Sequence, residues 1–339
     1  MATIGNLVLT LADWAKRLDP SGKTSAIVEL LSQTNEILTD MLVKEGNLPT
    51  GERTTVRTGL PTVGFRMLNT GSPKSKSTTA QIDVHCAILE GRSEIDKDEA
   101  DLNGNTAAYR LSESQAFLES MNQTMADTLF YGNAALNPER FTGIAPQYNS
   151  LSGPVGGNVL SAGGTANLTS VYLVVWGANT VFAVFPKGSK AGLVHEDLGV
   201  GDAFDANNNR FRAYMDRYQW KCGLAIKDWR YIVRIANINT AHLVALSDTQ
   251  APTAATFLPK LMARAIDRIP SLNMGKMVFY ANRTVMSHLR IAAMEKAVNV
   301  LSIEEGLTQF GDRIQAGLKF LGVPVRCCDR IVNTEAQVT

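Results

Sequence analysis

The chain has 339 residues, 45% of them apolar, with 33 basic and 32 acidic side chains and a formal charge of +1. That length and apolar share suffice for one large globular domain or two of ordinary size, and the charge balance excludes a protein drawn as a whole to nucleic acid or to an anionic membrane. No window reaches about 18 uninterrupted apolar residues, and residues 1–11 carry no basic n-region or cleavage site, so neither a membrane span nor export by a signal peptide is expected. The four cysteines, Cys86, Cys222, Cys327 and Cys328, lack metal-type spacing and read as reduced core or strand residues in a cytosolic setting.

In chain order, Leu7, Leu11, Trp14, Ala15 and Leu18 predict a helix over 6–18 that Asp19-Pro20-Ser21-Gly22 ends. A second helix follows from the stripe Ile27, Leu30, Leu31, Ile37, Leu38, Met41 and Leu42, closed by Gly46. Two readings of it stay open: an ordinary helix on its own core, or an arm lying on a neighbouring copy. Residues 49–92 then read as one long polar β-ribbon. Its outgoing half alternates over 52–57 and 62–67 around Gly59-Leu60-Pro61, turn formers fill the tip from Asn69 to Lys76, and the return half puts Ile82, Val84, Cys86 and Ile88 on one face. A return strand over 77–88 would reach roughly 40 Å at about 3.3 Å per residue, well beyond the usual strand of about 5 to 6 residues. An arm of that length needs a partner surface.

The acidic run over 94–101 reads as a solvated face or a helix start. From 106 to 131, Leu111, Phe117, Leu118, Met121, Met125 and Leu129 recur at helical intervals, and Gly132-Asn133 marks the stop. The Gly-rich stretch 149–168 reads as a hinge or mobile loop. Strands are predicted over 171–176, 181–185, 210–220 and 223–235, as antiparallel sheet. A helix over 254–269, a strand over 276–280, a helix over 284–297 and a final strand over 318–328 complete an α+β chain.

Motifs of chemistry fail on spacing. Ser21-Gly22-Lys23-Thr24 needs a first phosphate-loop glycine where Arg17 stands, and His195-Glu196 needs a second zinc histidine where Gly199 stands. Neither 153–157 nor 199–201 completes a dinucleotide pattern. His85, His242 and His288 read as isolated structural residues. Lys74, Lys76, Lys187 and Lys190 read as solvated loop charges, with acidic neighbours or phosphate as the alternative. Aromatic and basic residues interleave over 210–231, as on a nucleic-acid platform, but a twisted sheet with one buried aromatic face accounts for the same pattern. No catalytic, cofactor or metal site is expected.

The order of elements, an N-terminal helical arm, a long ribbon, a spine helix, a sheet, a mixed lobe and a closing strand, resembles the major capsid protein of tailed bacteriophages, the Hong Kong 97-like fold shared with herpesvirus shells. Short stretches are similar to the podophage-type branch: Leu48-Pro49-Thr50-Gly51 before Thr55-Val56-Arg57-Thr58-Gly59-Leu60-Pro61, Thr128-Leu129-Phe130-Tyr131-Gly132-Asn133, Phe185-Pro186-Lys187-Gly188-Ser189-Lys190-Ala191-Gly192-Leu193, and Gly322-Val323-Pro324-Val325-Arg326 with Asp329 and Asn333-Thr334-Glu335. The resemblance spans nearly the whole chain, and the order of these motifs carries its specificity.

The resemblance implies an α+β subunit with an N-terminal arm (1–48), an extended loop (49–92), a peripheral domain (93–239) holding the spine helix 106–131, an axial domain (240–315) and a C-terminal strand (316–339) returning to the peripheral domain. It implies hexamers and pentamers of this chain in an icosahedral shell around double-stranded DNA, touched weakly and non-specifically. Portal, scaffolding and decoration proteins are its implied partners, a virion assembled in the bacterial cytoplasm its place. Contacts between subunits are expected at Asn69, Thr70, Gly71, Ser72, Pro73, Lys74, Ser75 and Lys76 of the tip, and at Trp14, Leu31 and Leu38 of the arm. Three rivals remain: a cellular nanocompartment of the same fold around an enzyme cargo, an α+β enzyme using His195, Glu196 and Asp197, and a nucleic-acid module on the 210–231 sheet.

Overall fold

The structure is a computed structural model and describes residues 33–102, 106–205, 207–241, 243, 258–294, 301–304 and 317–339. The expected first helix with Trp14, the first part of the second with Leu31, and His242 lie outside the described residues.

Within them the second helix is a single turn, α1 (Ile37–Asp40). Met41 is already extended, and the chain enters a short strand, β1 (Val43–Glu45). Long-range pairing overrides the helical stripe here: Asn35 bridges Cys328, and Val43–Glu45 pair in parallel with residues 183–185. The ribbon follows as β2 (Gly51–Gly59) and β3 (Thr78–His85), antiparallel from Gly51 opposite His85 to Gly59 opposite Thr78. Two expectations fail at this point. Residues 62–67 form no strand, because the register of β2 on β3 sets them opposite 70–75, Thr-Gly-Ser-Pro-Lys-Ser, a run of turn formers with no large apolar side chain to face them. The twelve-residue return strand also breaks at Cys86, after which β4 (Ala87–Asp96) joins a different sheet.

Asp96 caps α2 (Lys97–Asp101) by accepting from the Asp98 amide, so the acidic run is half strand and half helix start. The spine helix α3 (Thr106–Tyr131) has the predicted bounds. Gly132 ends it tightly: a Cβ there would sit 2.4 Å from the Phe141 carbonyl oxygen. A turn of helix, α4 (Ile144–Gln147), precedes the Gly-rich stretch, which is not a free linker. Its Gly156–Asn158 turn leads into β5 (Val159–Ser161), paired in parallel with residues 234–236. The buried Asn158 amide donates to the carbonyls of Arg230 and Ile232, both at 2.9 Å.

β6 (Leu168–Trp176) is buried along its whole length, as a strand covered on both faces must be. β7 (Val181–Phe185) follows, then β8 (Leu193–Phe204), a strand that the glycines at 192, 199 and 201 disguise in sequence. β9 (Arg210–Ile226) runs on where two strands were expected, and β10 (Ile232–Asn239) follows. The helices α5 (Leu258–Asp267) and α6 (Arg283–Met294) flank β11 (Lys276–Ala281) in sequence. After β12 (Leu301–Glu304), the expected single closing strand is a hairpin of β13 (Gly317–Phe320) and β14 (Val323–Cys327). Leu321 and Gly322, both at positive φ, turn it.

Among the described residues twelve strands form one sheet whose main path is β12-β13-β14-β11-β6-β7-β9-β4, beside the separate pair β2-β3. It is mixed, not antiparallel as expected: β11 with β14, β6 with β7, β1 with β7 and β5 with β10 are parallel. Hydrogen bonding also continues across the expected domain border at 239/240, since β6 pairs with both β10 and β11. The closing strand β14 pairs with β11, while the tail beyond it bonds back to residues before the border.

One core cluster joins the C-terminal half of α3 (Met125, Leu129, Phe130) to β6, β11, α5 and α6. Inside it Arg234 and Glu335 form an ion pair at 2.8 Å whose side chains are 5% and 4% exposed. The Glu335 carboxylate accepts also from Tyr131 at 2.6 Å and from Ser170, so its lone pairs are satisfied without water.

Candidate assembly surface

The ribbon is rigid at its root. A Cβ on Gly51, which sits at a φ of 152°, would lie 1.9 Å from the Val84 carbonyl oxygen, and one on Gly46 would lie 2.2 Å from the Gly51 carbonyl oxygen. Only glycine admits backbones this close. Asn47 clamps the first turn of β2, its side chain donating to the Arg53 carbonyl at 2.7 Å and accepting from the Arg53 amide at 2.8 Å. The nearly buried Glu52 accepts from the Asn47 amide and meets Lys227 at 3.5 Å. On the core side, Cys86 donates its amide to Thr50 and Gly46 donates to Phe185. Lys44 and Lys227 each lie 5.0 Å from the Phe182 ring centre, an arrangement that adds cation–π attraction at the hinge of the ribbon.

Beyond the root the ribbon stands clear of the body. Arg53 and Asp83 pair across it at 2.7 Å, and Thr58 bonds Thr78 at 3.1 Å, but an isolated two-stranded hairpin is marginal in water. At its far end Leu60, Val63, Phe65, Met67 and Leu68 project into solvent, the least exposed of them, Met67, at 77%. Burying each would contribute roughly 1.5–3 kcal/mol. The same segment is cationic: Arg57, Arg66, Lys74 and Lys76 fall between 57 and 82 with no carboxylate among them, leaving 29 basic against 32 acidic side chains in the rest of the chain. An apolar, cationic arm on a net acidic body is suited to reach another copy of that body.

The second exposed region is the sheet β8-β9-β4 with the N-terminal half of α3 across it. That half is held by polar groups: Arg110 bonds the buried Asp216 at 2.8 Å and Asp197 at 2.9 Å, Ser114 and Tyr218 share a 2.6 Å hydrogen bond, and Phe117 stacks on Tyr218. Arg110 holds the Asp197 carboxyl below its usual range, and burial pushes the Tyr218 hydroxyl up. On the opposite face Arg217, helped by Arg92 and Gln219, holds the Glu90 carboxyl down to about 2. Leu111 and Leu118 of α3 and Ile88 of β4 remain exposed.

The rival catalytic trio does not converge. His195 and Asp197 point to the α3 side, His195 Nε2 donating to Asp216 over 2.9 Å, whereas Glu196 turns to the other face and Arg217 at 3.4 Å. Among the described residues there is no cluster of three metal-ligating side chains and no helix long and apolar enough to cross a membrane.

A family model for the major capsid protein GP7 matches residues 19–339. A chain in the cryo-EM structure of bacteriophage Epsilon15 is similar at 31% identity over 100% of this chain and 99% of that one, with a TM-score of 0.77. The chain belongs to the GP7 major capsid protein family. A chain of the bacteriophage JBD30 capsid is similar at 10% identity over 92% of this chain and 99% of that one, TM-score 0.49. A chain of the SrpI encapsulin complex of Synechococcus elongatus PCC 7942 is similar at 10% identity over 68% of this chain and 96% of that one, TM-score 0.42. No curated protein matches. The α+β Hong Kong 97-like fold and the phage capsid family are those the sequence resembles, and the nanocompartment reading is the less favoured one.

For this capsid protein the structure places the expected contact residues unequally. Asn69, Thr70, Gly71, Ser72, Pro73, Lys74, Ser75 and Lys76 are all exposed at the ribbon tip, tied by Thr70 to Met67 and by Ser75 to Thr62. Leu38 packs against the chain's own core, and Trp14 and Leu31 lie outside the described residues. Sequence reasoning missed the apolar row 60–68 as a surface, having read its alternation as a paired strand. The available signal was the facing stretch 70–76, Thr-Gly-Ser-Pro-Lys-Ser-Lys, which gives those side chains nothing to pack on.

Proposed function

We propose that many copies of this chain tile an icosahedral shell that encloses the double-stranded DNA of a tailed phage, with no catalytic step of its own. The observation that carries the reading is the ribbon: a rigid root, a protruding apolar and cationic end, and no surface among the described residues of its own chain that receives it. In this account each ribbon lies on an adjacent subunit, with the tip 69–76 and the row 60–68 as contacts and Trp14 and Leu31 of the arm as a second set. Packaged DNA is touched weakly, in keeping with a charge of +1. Portal, scaffolding and decoration proteins would complete the particle, built in the bacterial cytoplasm.

The division into arm, loop, peripheral and axial parts belongs to this proposal with two changes. The loop ends at His85, where β3 stops. β5, β6, β7 and β10 go with β11 and β14, since β6 pairs with β7, β10 and β11, β10 with β5, and β11 with β14, while β4 and β8, both paired with β9, form the peripheral layer with it and the first half of α3.

Electron microscopy of the purified protein tests the reading. Hexamers, pentamers or closed shells are expected; a compact monomer that persists at high concentration contradicts it.

A further inference from the structure

A cleft of about 410 Å³ opens at the start of β8, lined among others by Ser189, Lys190, His195, Glu196, Gln219 and Lys221. Its size suits a small ligand, and its walls mix polar and apolar surface, with charged side chains among the polar part. Neither Lys190 nor Lys221 meets a carboxylate or any other hydrogen-bond partner among the described residues. The one acidic side chain in the lining, Glu196, is engaged by Arg217 at 3.4 Å. The cleft is therefore lined by two ammonium groups that have no direct ion-pair partner among the described residues. The His195 imidazole turns away to Asp216 at 2.9 Å on the α3 side of the sheet.

The loop that carries Lys190 is held in place before any ligand arrives. Gly188 and Gly192 bracket it at φ values of 79° and 77°, a conformation that favours glycine. The Gly188 amide donates to Glu45 at 2.8 Å, the Lys187 amide donates to Leu48 at 3.2 Å, and the Ser189 hydroxyl donates to Pro186 at 2.7 Å. A preformed loop loses little freedom on binding. Two lysines lining one cleft repel each other, and an anion bound between them relieves that repulsion.

We propose that this cleft is a binding site for a phosphate-class oxyanion, held between the ammonium groups of Lys190 and Lys221. The oxyanion is either free phosphate or a phosphodiester of nucleic acid. The site is independent of the shell reading, since nothing in it requires a second copy.

Isothermal titration calorimetry on the full chain at pH 7 and low salt, with inorganic phosphate in one arm and a short DNA duplex in the other, tests it. The Lys190→Ala/Lys221→Ala double variant is expected to bind phosphate at least about tenfold more weakly. Glu196→Gln, which removes the carboxylate from the lining, is expected to bind severalfold more tightly, a gain that misfolding does not produce. Arg290→Ala, an exposed cation on α6 outside the cleft, is expected to leave binding unchanged. Duplex binding through the same two lysines, tighter than phosphate and falling steeply with salt, identifies a phosphodiester; binding of phosphate alone identifies the free anion. Absence of binding in both arms, or equal binding by the double variant, overturns the site.

Discussion

At Glu335 the tail of the chain is fixed by charge as much as by packing. Arg234, buried against it at 2.8 Å, also donates to the carbonyls of Ala145 and Tyr148, so one guanidinium ties β10, α4 and the tail together. Arg234→Met would leave a carboxylate buried with no cation, a loss of about 3–5 kcal/mol, measurable by urea unfolding. The double change Arg234→Met/Glu335→Leu is expected to recover most of it, because removing both charges also removes the desolvation cost. Glu90 shows the opposite, exposed case. Its folded pKa of about 2 lies below the ordinary value of 4.5, so its contribution is fully present above pH 4.5 and is lost as the pH falls toward 2. Glu90→Gln is expected to flatten that acid limb of the melting temperature against pH and to leave the rest of the curve unchanged in shape.

The elements differ in how far local sequence decides them. The spine helix was legible to the residue because Met121, Met125 and Leu129 repeat at helical spacing and Gly132 stops the turn. β8 was hidden, since its glycines and its charged run His195-Glu196-Asp197 carry no apolar alternation and its stability comes from pairing with β9. The closing hairpin was read as one strand because a Leu321-Gly322 turn is two residues long and its neighbours are all good strand formers. In the ribbon, the order of elements was legible but its chemistry was not. A turn-former count pointed to 69–76, while the exposed apolar row lies at 60–68. Deleting residues 69–76, or replacing Leu60, Val63, Phe65, Met67 and Leu68 by serine, is expected to leave the melting temperature of the unassembled subunit within about 2–4 °C of the parent and to impair shell formation in sedimentation velocity runs. The serine variant is expected to have the larger effect of the two, since it removes apolar contact area and the deletion removes mainly polar turn residues.

Across the whole molecule, one mixed sheet buries its central strands between helices, while two features reach past the core: the ribbon and the polar layer of β4, β8, β9 and the first half of α3. Among the described residues the buried charges of Arg234 and Asp216 are paired, while strongly exposed apolar side chains gather at 60–68, at the end of an arm. A monomer gains nothing from that distribution; a shell gains a contact at every subunit boundary, repeated by symmetry. The net acidity of the body outside 57–82 adds steering for the cationic ribbon, so assembly is expected to slow as ionic strength rises. The ribbon as the joint between subunits is tested most directly by a cryo-EM reconstruction of the assembled particle. Residues 60–68 of each chain are expected to be buried on an adjacent chain, with Phe65 enclosed; ribbons folded back on their own subunit, or free in solvent, would contradict the account.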